Sequence, residues 1–337
     1  MSRILIVTDA WLPQVNGVVT TLVNLTEQLR SLGHEVKIFS PEDCKIRFAL
    51  PSYPEIRLGL PAWGEPRRII EQFLPDYVHV STPEAPLGIF FRRILDQLGI
   101  RYSTAYHTKF PEFIKAKFPW FPLSWARRYM LHINRYSENI LVPTASVAQH
   151  LQQHGFDPAK IKLWTRGIRR DIFQPLQSRT NNPVPVYLCV SRVSSEKNLE
   201  TFFQMPVQGR KIMVGDGPQL EDYRGLYPGV EFVGTQQGPA LASYYQTADV
   251  FVFPSKTDTF GIVMIEAIAC GTPVAAYDVE GPKDIVINGI NGLRGDNLVD
   301  LAEQCLLLDR KQVYESSKIY SWEKTTEQFL VNLKTVY

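Results

Sequence analysis

The sequence lacks the marks of several large protein classes. Its 337 residues hold 4 cysteines, and Cys44, Cys189, Cys270 and Cys305 form no Cys-x-x-Cys pair. Neither a zinc ribbon nor a disulfide scaffold is expected, and reduced structural thiols of a cytosolic protein fit better. No window approaches the ~20 apolar residues that a membrane-spanning helix needs. The N-terminus has only a short apolar run before Thr8 and Asp9, which makes it a first strand and not a signal peptide. Charge is nearly balanced, with 36 Lys and Arg against 34 Asp and Glu, so nucleic acid is not an expected partner. There is no Asp-x-Asp pair to hold a divalent cation beside a diphosphate and no GxxxxGK phosphate loop; a metal and P-loop ATP chemistry are both disfavoured. His150 and His154 lie four apart with Asp157 beyond, but no third ligand follows by spacing, and His154 before Gly155 suits a helix end. Neither internal repeats nor low-complexity tracts occur.

What is present is a sustained alternation of strand-like and helical runs. Apolar runs of strand length fall at residues 4–7, 36–39, 77–80, 102–106, 140–142 and 161–164, with helical patterns at 18–32, 87–98 and 147–154. After the turn-rich residues 177–185, a second series runs through 186–190, 199–205, 211–214, 220–226 and 230–233. Strands alternating with helices pair in parallel, so each series predicts a doubly wound α/β sheet. At 45 % hydrophobic residues the chain can fill two ordinary cores. The expectation is two Rossmann-like domains, residues 1–168 and 169–315, facing each other across a cleft with ligands between their carboxyl edges.

Residues 254–276, PSKTDTFGIVMIEAIACGTPVAA, carry the strongest functional signal. A buried-strand run at 249–253 stops at Pro254 and Ser255; a helical stretch opens at Ile262 and ends at Gly271, with Pro273 two beyond. A helix starting where a parallel strand ends aims unpaired N–H groups and its positive dipole end into the crevice at the sheet's carboxyl edge, where phosphate binds. Asp258 is expected at that crevice. Glu266 interrupts an apolar helix, and a carboxylate there is costly unless something donates to it. A vicinal diol such as a ribose is a suitable donor. The alternatives are an N-terminal cap for Asp258 and a solvated face for Glu266.

At this segment the chain resembles the retaining GT-B glycosyltransferases of family 4, which carry two glutamates separated by seven residues before a GTPV-like strand. Here the first glutamate is Asp258, one methylene shorter, and Ile168-Arg169 stands where the family has Val-Asp. A subgroup of bacterial alpha-mannosyltransferases and glycolipid synthases looks similar at TDTFG, at WTRG (residues 164–167) and at AYHTKFPEF (residues 105–113). The resemblance implies a GT-B fold, no metal or other cofactor, and retention of anomeric configuration. It also implies that residues 316–337 form a last helix crossing back to the first domain.

Arg192 and Lys197, five apart on the loop after the first strand of the second series, could flank one diphosphate or be ordinary surface charges. The resemblance assigns them to the donor diphosphate, Glu266 to the ribose, Asp258 to the sugar and His107 to the sugar from the other domain. It extends the donor site to Thr259, Phe260, Gly261 and Ile262, to backbone near Val233 and Gly234, and to the first loop at Asn16 and Gly17. Gly215 and Gly217 permit close backbone approach to a ligand, or form a tight turn alone. Glu84 and Lys109 are candidate acceptor contacts. Residues 101–136 hold seven Lys and Arg against one Glu, interleaved with aromatics. Lys115, Lys117, Trp120, Phe121, Trp125, Arg127 and Arg128 are therefore candidate contacts to an anionic bilayer, unless the rings are core. The expected protein is a cytoplasmic, peripherally membrane-bound enzyme that moves mannose or glucose from a GDP- or UDP-linked donor to a diacylglycerol or glycolipid. A soluble or polysaccharide acceptor, a weakly catalytic nucleotide-sugar-binding protein and an epimerase-like enzyme are the rivals.

Overall fold

The computed structural model describes residues 1–50, 53–118, 120–179 and 182–337, with the side chains of residues 50, 53–55, 116 and 117 outside that set. Two residues of the expected linker, 180 and 181, are thus not described. The chain divides into two compact units. The first comprises Met1–Gly167 with Trp322–Tyr337, and the second Ile168–Ser321.

The strands of the first unit are β1 (Arg3–Val7), β2 (Glu35–Phe39), β3 (Ile46–Leu50), β4 (Tyr53–Leu60), β5 (Tyr77–Val80), β6 (Ser103–Ala105), β7 (Asn139–Val142) and β8 (Ile161–Leu163). Six of them form a parallel sheet in the order β2-β1-β5-β6-β7-β8. Side chains alternate across a strand, and in β1 Leu5 and Val7 enter one core while Ile4 and Ile6 enter the other. Both faces are covered, which is why these strands read as continuous apolar runs. Residues 46–50 and 53–60, to which the sequence pattern gave no element, pair as the antiparallel strands of the hairpin β3–β4. The helix Trp322–Asn332 packs on the helix Gly17–Ser31, with Phe329 and Leu333 in the same core as Ile4 and Ile6. Gly167 has to be glycine here, since a Cβ would meet Trp322 at 2.6 Å.

The second unit holds β9 (Val186–Val190), β10 (Arg210–Val214), β11 (Val230–Phe232), β12 (Val250–Phe253), β13 (Val274–Tyr277) and β14 (Gly292–Gly295), all parallel in the order β11-β10-β9-β12-β13-β14. Phe251 and Phe253 pack on one face, Val250 and Val252 on the other. The strand order reverses between β9 and β12 here, and between β1 and β5 in the first unit. Those reversals leave a crevice at the carboxyl edge of each sheet. All four cysteines are buried and unbridged.

Candidate functional site

In the second unit the loops after β9 and β12 flank the switch point, and side chains staple them together. Asn198, in the left-handed region at φ 55°, donates from Nδ2 to the Pro254 carbonyl at 3.0 Å. Thr257 Oγ1 donates to the Glu196 carbonyl at 3.4 Å. Between them Lys197 Nζ meets Asp258 Oδ1 at 2.6 Å. The residues expected on diphosphate and sugar thus form an ion pair with each other. Arg192 lies half-buried on the same β9 loop.

Gly261 takes φ 88° immediately before the helix Ile262–Ala269, and as glycine it offers no side chain of its own to cap that N-terminus. The side chains of Thr259 and Phe260 turn inward instead, Phe260 standing edge-on to Tyr320 at 6.3 Å. What this loop presents at the crevice is backbone and Asp258. Gly281 packs on it so closely that a Cβ would lie 2.9 Å from the Asp258 carbonyl oxygen. The close approaches of Gly215 and Gly217 are to the chain's own backbone: a Cβ would fall 1.8 Å from the Ser191 carbonyl oxygen and 2.4 Å from that of Val193. These glycines set the path of the loop that carries Arg192. Gly234, at φ 72°, accepts from the Gly215 N–H and has open space where a Cβ would be.

Glu266 is buried on the helix Ile262–Ala269, where Tyr245 donates its hydroxyl to Oε2 at 3.0 Å. A solvated face for Glu266 is thereby excluded. Burial raises its carboxyl to about 7 against the opposing pull of that hydrogen bond. The Tyr245 phenol is pushed well above its usual range by burial and by the carboxylate beside it. Nothing in the sequence pattern marked Tyr245; it lies 21 residues away in an unremarkable helical stretch.

The carboxyl edge of the first sheet gathers a second set of groups. His107 lies two residues beyond β6. Its Nε2 is 2.8 Å from Ser81 Oγ after β5, and its Nδ1 is 3.2 Å from the Arg166 guanidinium after β8. A guanidinium only donates, so Nδ1 carries the lone pair and Nε2–H donates to Ser81. Burial, then Arg166, then His79 hold the imidazole well below its usual pKa, in the neutral form. Arg166 itself is buried, stacks on Trp164 with 4.6 Å to the ring centroid, and donates to the Trp164 and Thr165 carbonyls. The WTRG tetrapeptide had drawn notice without a role for this arginine. Asp9, also unanticipated, accepts from the Leu87 N–H at 3.0 Å and is raised to about 7 by burial. Glu84 is raised to about 7 as well, by burial against the pull of its own backbone, Arg92 and Thr108. It thus shares an edge with His107, and Lys109 follows half-buried. Asn16 is engaged differently from a flexible loop residue: its Oδ1 accepts from the Val18 and Val19 N–H groups at 3.0 Å each, capping the helix that starts at Gly17. His154 Nδ1–H donates to the His150 carbonyl at 2.7 Å, a helix-end contact.

In the basic aromatic segment, Trp120 is 78 % and Trp125 65 % exposed, with Lys115 and Arg128 also exposed and Phe121 half-buried. Trp120 stands edge-on to both Phe118 and Phe121 at 6.1 Å. These tryptophans are not core. Arg127 departs from the expectation of a surface charge: half-buried, it donates to Glu112 Oε1 at 3.4 Å and ties the helix Leu123–Asn134 to the helix Phe110–Lys117. The Lys117 side chain lies outside the described set. Among the described residues no helix is long and apolar enough to cross a membrane.

Two parallel α/β units in tandem, each with charged side chains at its switch point, are the arrangement of GT-B glycosyltransferases. Sucrose-phosphate synthase from Thermosynechococcus elongatus superposes with a TM-score of 0.80 at 20 % identity over 98 % of both chains. Anabaena HepE in complex with UDP and glucose gives 0.69 at 16 %, over 98 % of this chain and 99 % of that one. Residues 15–172 match Glycosyltransferase Family 4 and residues 184–309 match Glycosyl transferases group 1. A GDP-mannose-dependent alpha-mannosyltransferase of Mycobacterium tuberculosis is 30 % identical over 86 % of this chain and 83 % of its own. The alpha-monoglucosyldiacylglycerol synthase of Acholeplasma laidlawii is 26 % identical over 86 % and 84 %. The chain belongs to glycosyltransferase family 4 and is a glycosyltransferase.

Proposed function

We propose that this enzyme is a retaining, metal-independent hexosyltransferase that moves mannose or glucose from a GDP- or UDP-linked donor to a lipid hydroxyl at an anionic membrane surface. The observation that carries the donor half is the stapled pair of loops that brings Lys197, Asp258 and Arg192 to one switch point beside the helix N-terminus at Gly261. A departing nucleoside diphosphate gains negative charge in the transition state, and fixed cations with a helix N-terminus stabilise it without reorganising. Asp258 orients Lys197 for the diphosphate, which offers it a second anionic partner. Asp258 then serves the sugar hydroxyls and Glu266 the ribose diol.

The acceptor proton passes to the leaving diphosphate oxygen on the face from which the diphosphate departs. No protein nucleophile or acid/base carboxylate pair is then required. With two cations on the β9 loop and no Asp-x-Asp pair in the chain, the diphosphate charge is met without a divalent ion. The lipid half of the proposal is supported by exposed Trp120 and Trp125 amid Lys115 and Arg128, and by the glycolipid synthase among the relatives. The test is transfer from GDP-mannose and UDP-glucose to diacylglycerol in anionic vesicles with EDTA present. Product from either donor supports the reading. Transfer only to water-soluble acceptors overturns its lipid half, and donor binding without any transfer leaves the weakly catalytic rival in its place.

A further inference from the structure

We propose that Tyr245 is a positioning residue for the donor: its hydroxyl holds one oxygen of Glu266 and so aims the other at the ribose diol. The inference rests on the donor role given above to Glu266. Tyr245 lies on the helix Gly238–Thr247, which packs against the helix Ile262–Ala269. Its ring is clamped edge-on between Phe173 at 6.0 Å and Phe251 at 5.6 Å, and its carbonyl accepts from Thr272 Oγ1. A fully buried ring held in this way fixes its hydroxyl in space, and that hydroxyl donates to Glu266 Oε2 at 3.0 Å. Among the described residues no other side chain bonds to the Glu266 carboxyl, and the residue keeps 8 % of its surface exposed. One oxygen is anchored and the other is available to accept from a ligand.

The same bond governs the carboxyl's charge. Titratable groups on the elements packed against this helix are Tyr244 and Tyr245 on Gly238–Thr247, Arg310, Lys311, Tyr314 and Glu315 on Arg310–Ser316, Lys318 on Ser317–Ile319, and Tyr277 on β13; β12 has none. At the end of its own helix the Cys270 thiol is pushed up by burial and by the Glu266 charge. Of all these groups Tyr245 is the one that hydrogen-bonds Glu266, favouring the ionised form that burial disfavours. An ionised carboxylate accepts both hydroxyls of a diol; a protonated one has spent an oxygen on its own proton.

The test is Tyr245→Phe, which removes the hydroxyl and keeps the ring. With burial unopposed, Glu266 ionises at higher pH. The acid limb of kcat/KM for the donor is expected to move up by ~1 unit, which makes donor KM on that limb rise on the order of tenfold with kcat little changed. Calorimetric binding of UDP and GDP from about pH 6 to 9 should show the same shift without turnover. An unmoved acid limb, with or without a lower melting temperature, would mean that Tyr245 only fills the core. Glu266→Gln separates the two layers: unchanged nucleotide binding in that variant removes the ribose role itself. A raised KM there, beside an unmoved limb in Tyr245→Phe, removes only the positioning role.

Discussion

Replacing Lys197 with Met tests whether the ion pair at the β9–β12 switch point serves chemistry or only the fold. The Lys197 and Asp258 side chains are 21 % and 24 % exposed, and their 2.6 Å contact is charge-assisted. A hydrogen bond between charged groups contributes about 1.5–3 kcal/mol, and this much exposure places the pair near the lower figure. Met retains the apolar stem but leaves Asp258 a partly buried carboxylate without its cation, so a loss of roughly 1–3 kcal/mol is expected. In a unit of this size that lowers its melting temperature by ~2–12 °C. Turnover should fall further than stability would explain. Losing one preorganised group that stabilises developing charge costs on the order of 100- to 1000-fold in kcat. The double variant Lys197→Met with Asp258→Asn removes the carboxylate charge along with the cation and should regain most of the melting temperature while staying inactive. Calorimetric melting beside steady-state kinetics with GDP-mannose and UDP-glucose reads both quantities. A double variant that regains turnover together with stability would refute the reasoning, for the pair would then be structural only.

Transfer is expected to persist in EDTA, and product NMR should show the donor's anomeric configuration retained; loss of turnover restored by magnesium or manganese, or an inverted product, would count against the proposed chemistry. Trp120→Ser with Trp125→Ser should weaken co-sedimentation with anionic vesicles while changing the lipid-free melting temperature little, because both rings are exposed. Arg127→Glu is a poor probe of membrane contact, since it places two carboxylates together at Glu112 and is expected to lower that melting temperature. Gly215→Ala drives a Cβ into the Ser191 carbonyl oxygen from a backbone at φ 141°. Overpacking and strain together should cost about 2–5 kcal/mol and lower turnover by displacing the loop that carries Arg192. A variant that melts like the wild type would show that this loop yields cheaply.

The parallel strands were legible because burial on both faces writes them as unbroken apolar runs, and the helices between them because one stripe is apolar. The hairpin β3–β4 was not. Ile46 and Phe48 are exposed, arginines alternate with them, and prolines interrupt the run, so neither a buried-strand nor a clean amphipathic signal forms. At the site, the spacing of Asp258 and Glu266 and their placement on loop and helix could be read directly. Their partners could not. Lys197 is 61 residues from Asp258, Tyr245 is 21 from Glu266 and Arg166 is 59 from His107, and only the order of strands in each sheet brings such residues together. Asn16 shows the opposite failure: an Asn opening a helical run is a cap signal, and the sequence reading takes it only as part of the donor loop.

The return of the chain after Ser321 has a consequence for its birth on the ribosome. The second unit is continuous in sequence, whereas the first waits for residues 322–337. Those residues bring Phe329 against Trp164 and His79, and Thr335 into a bridge with Tyr77. Vectorial synthesis favours whichever unit has all its parts, so the unit made first is expected to finish last. Chains truncated after Ser321 and released from the ribosome should then yield a protease-resistant second unit beside a first unit that is still cleaved. Until the last helix emerges, the apolar surface around Trp164 and Ile6 is what a chaperone would find to hold.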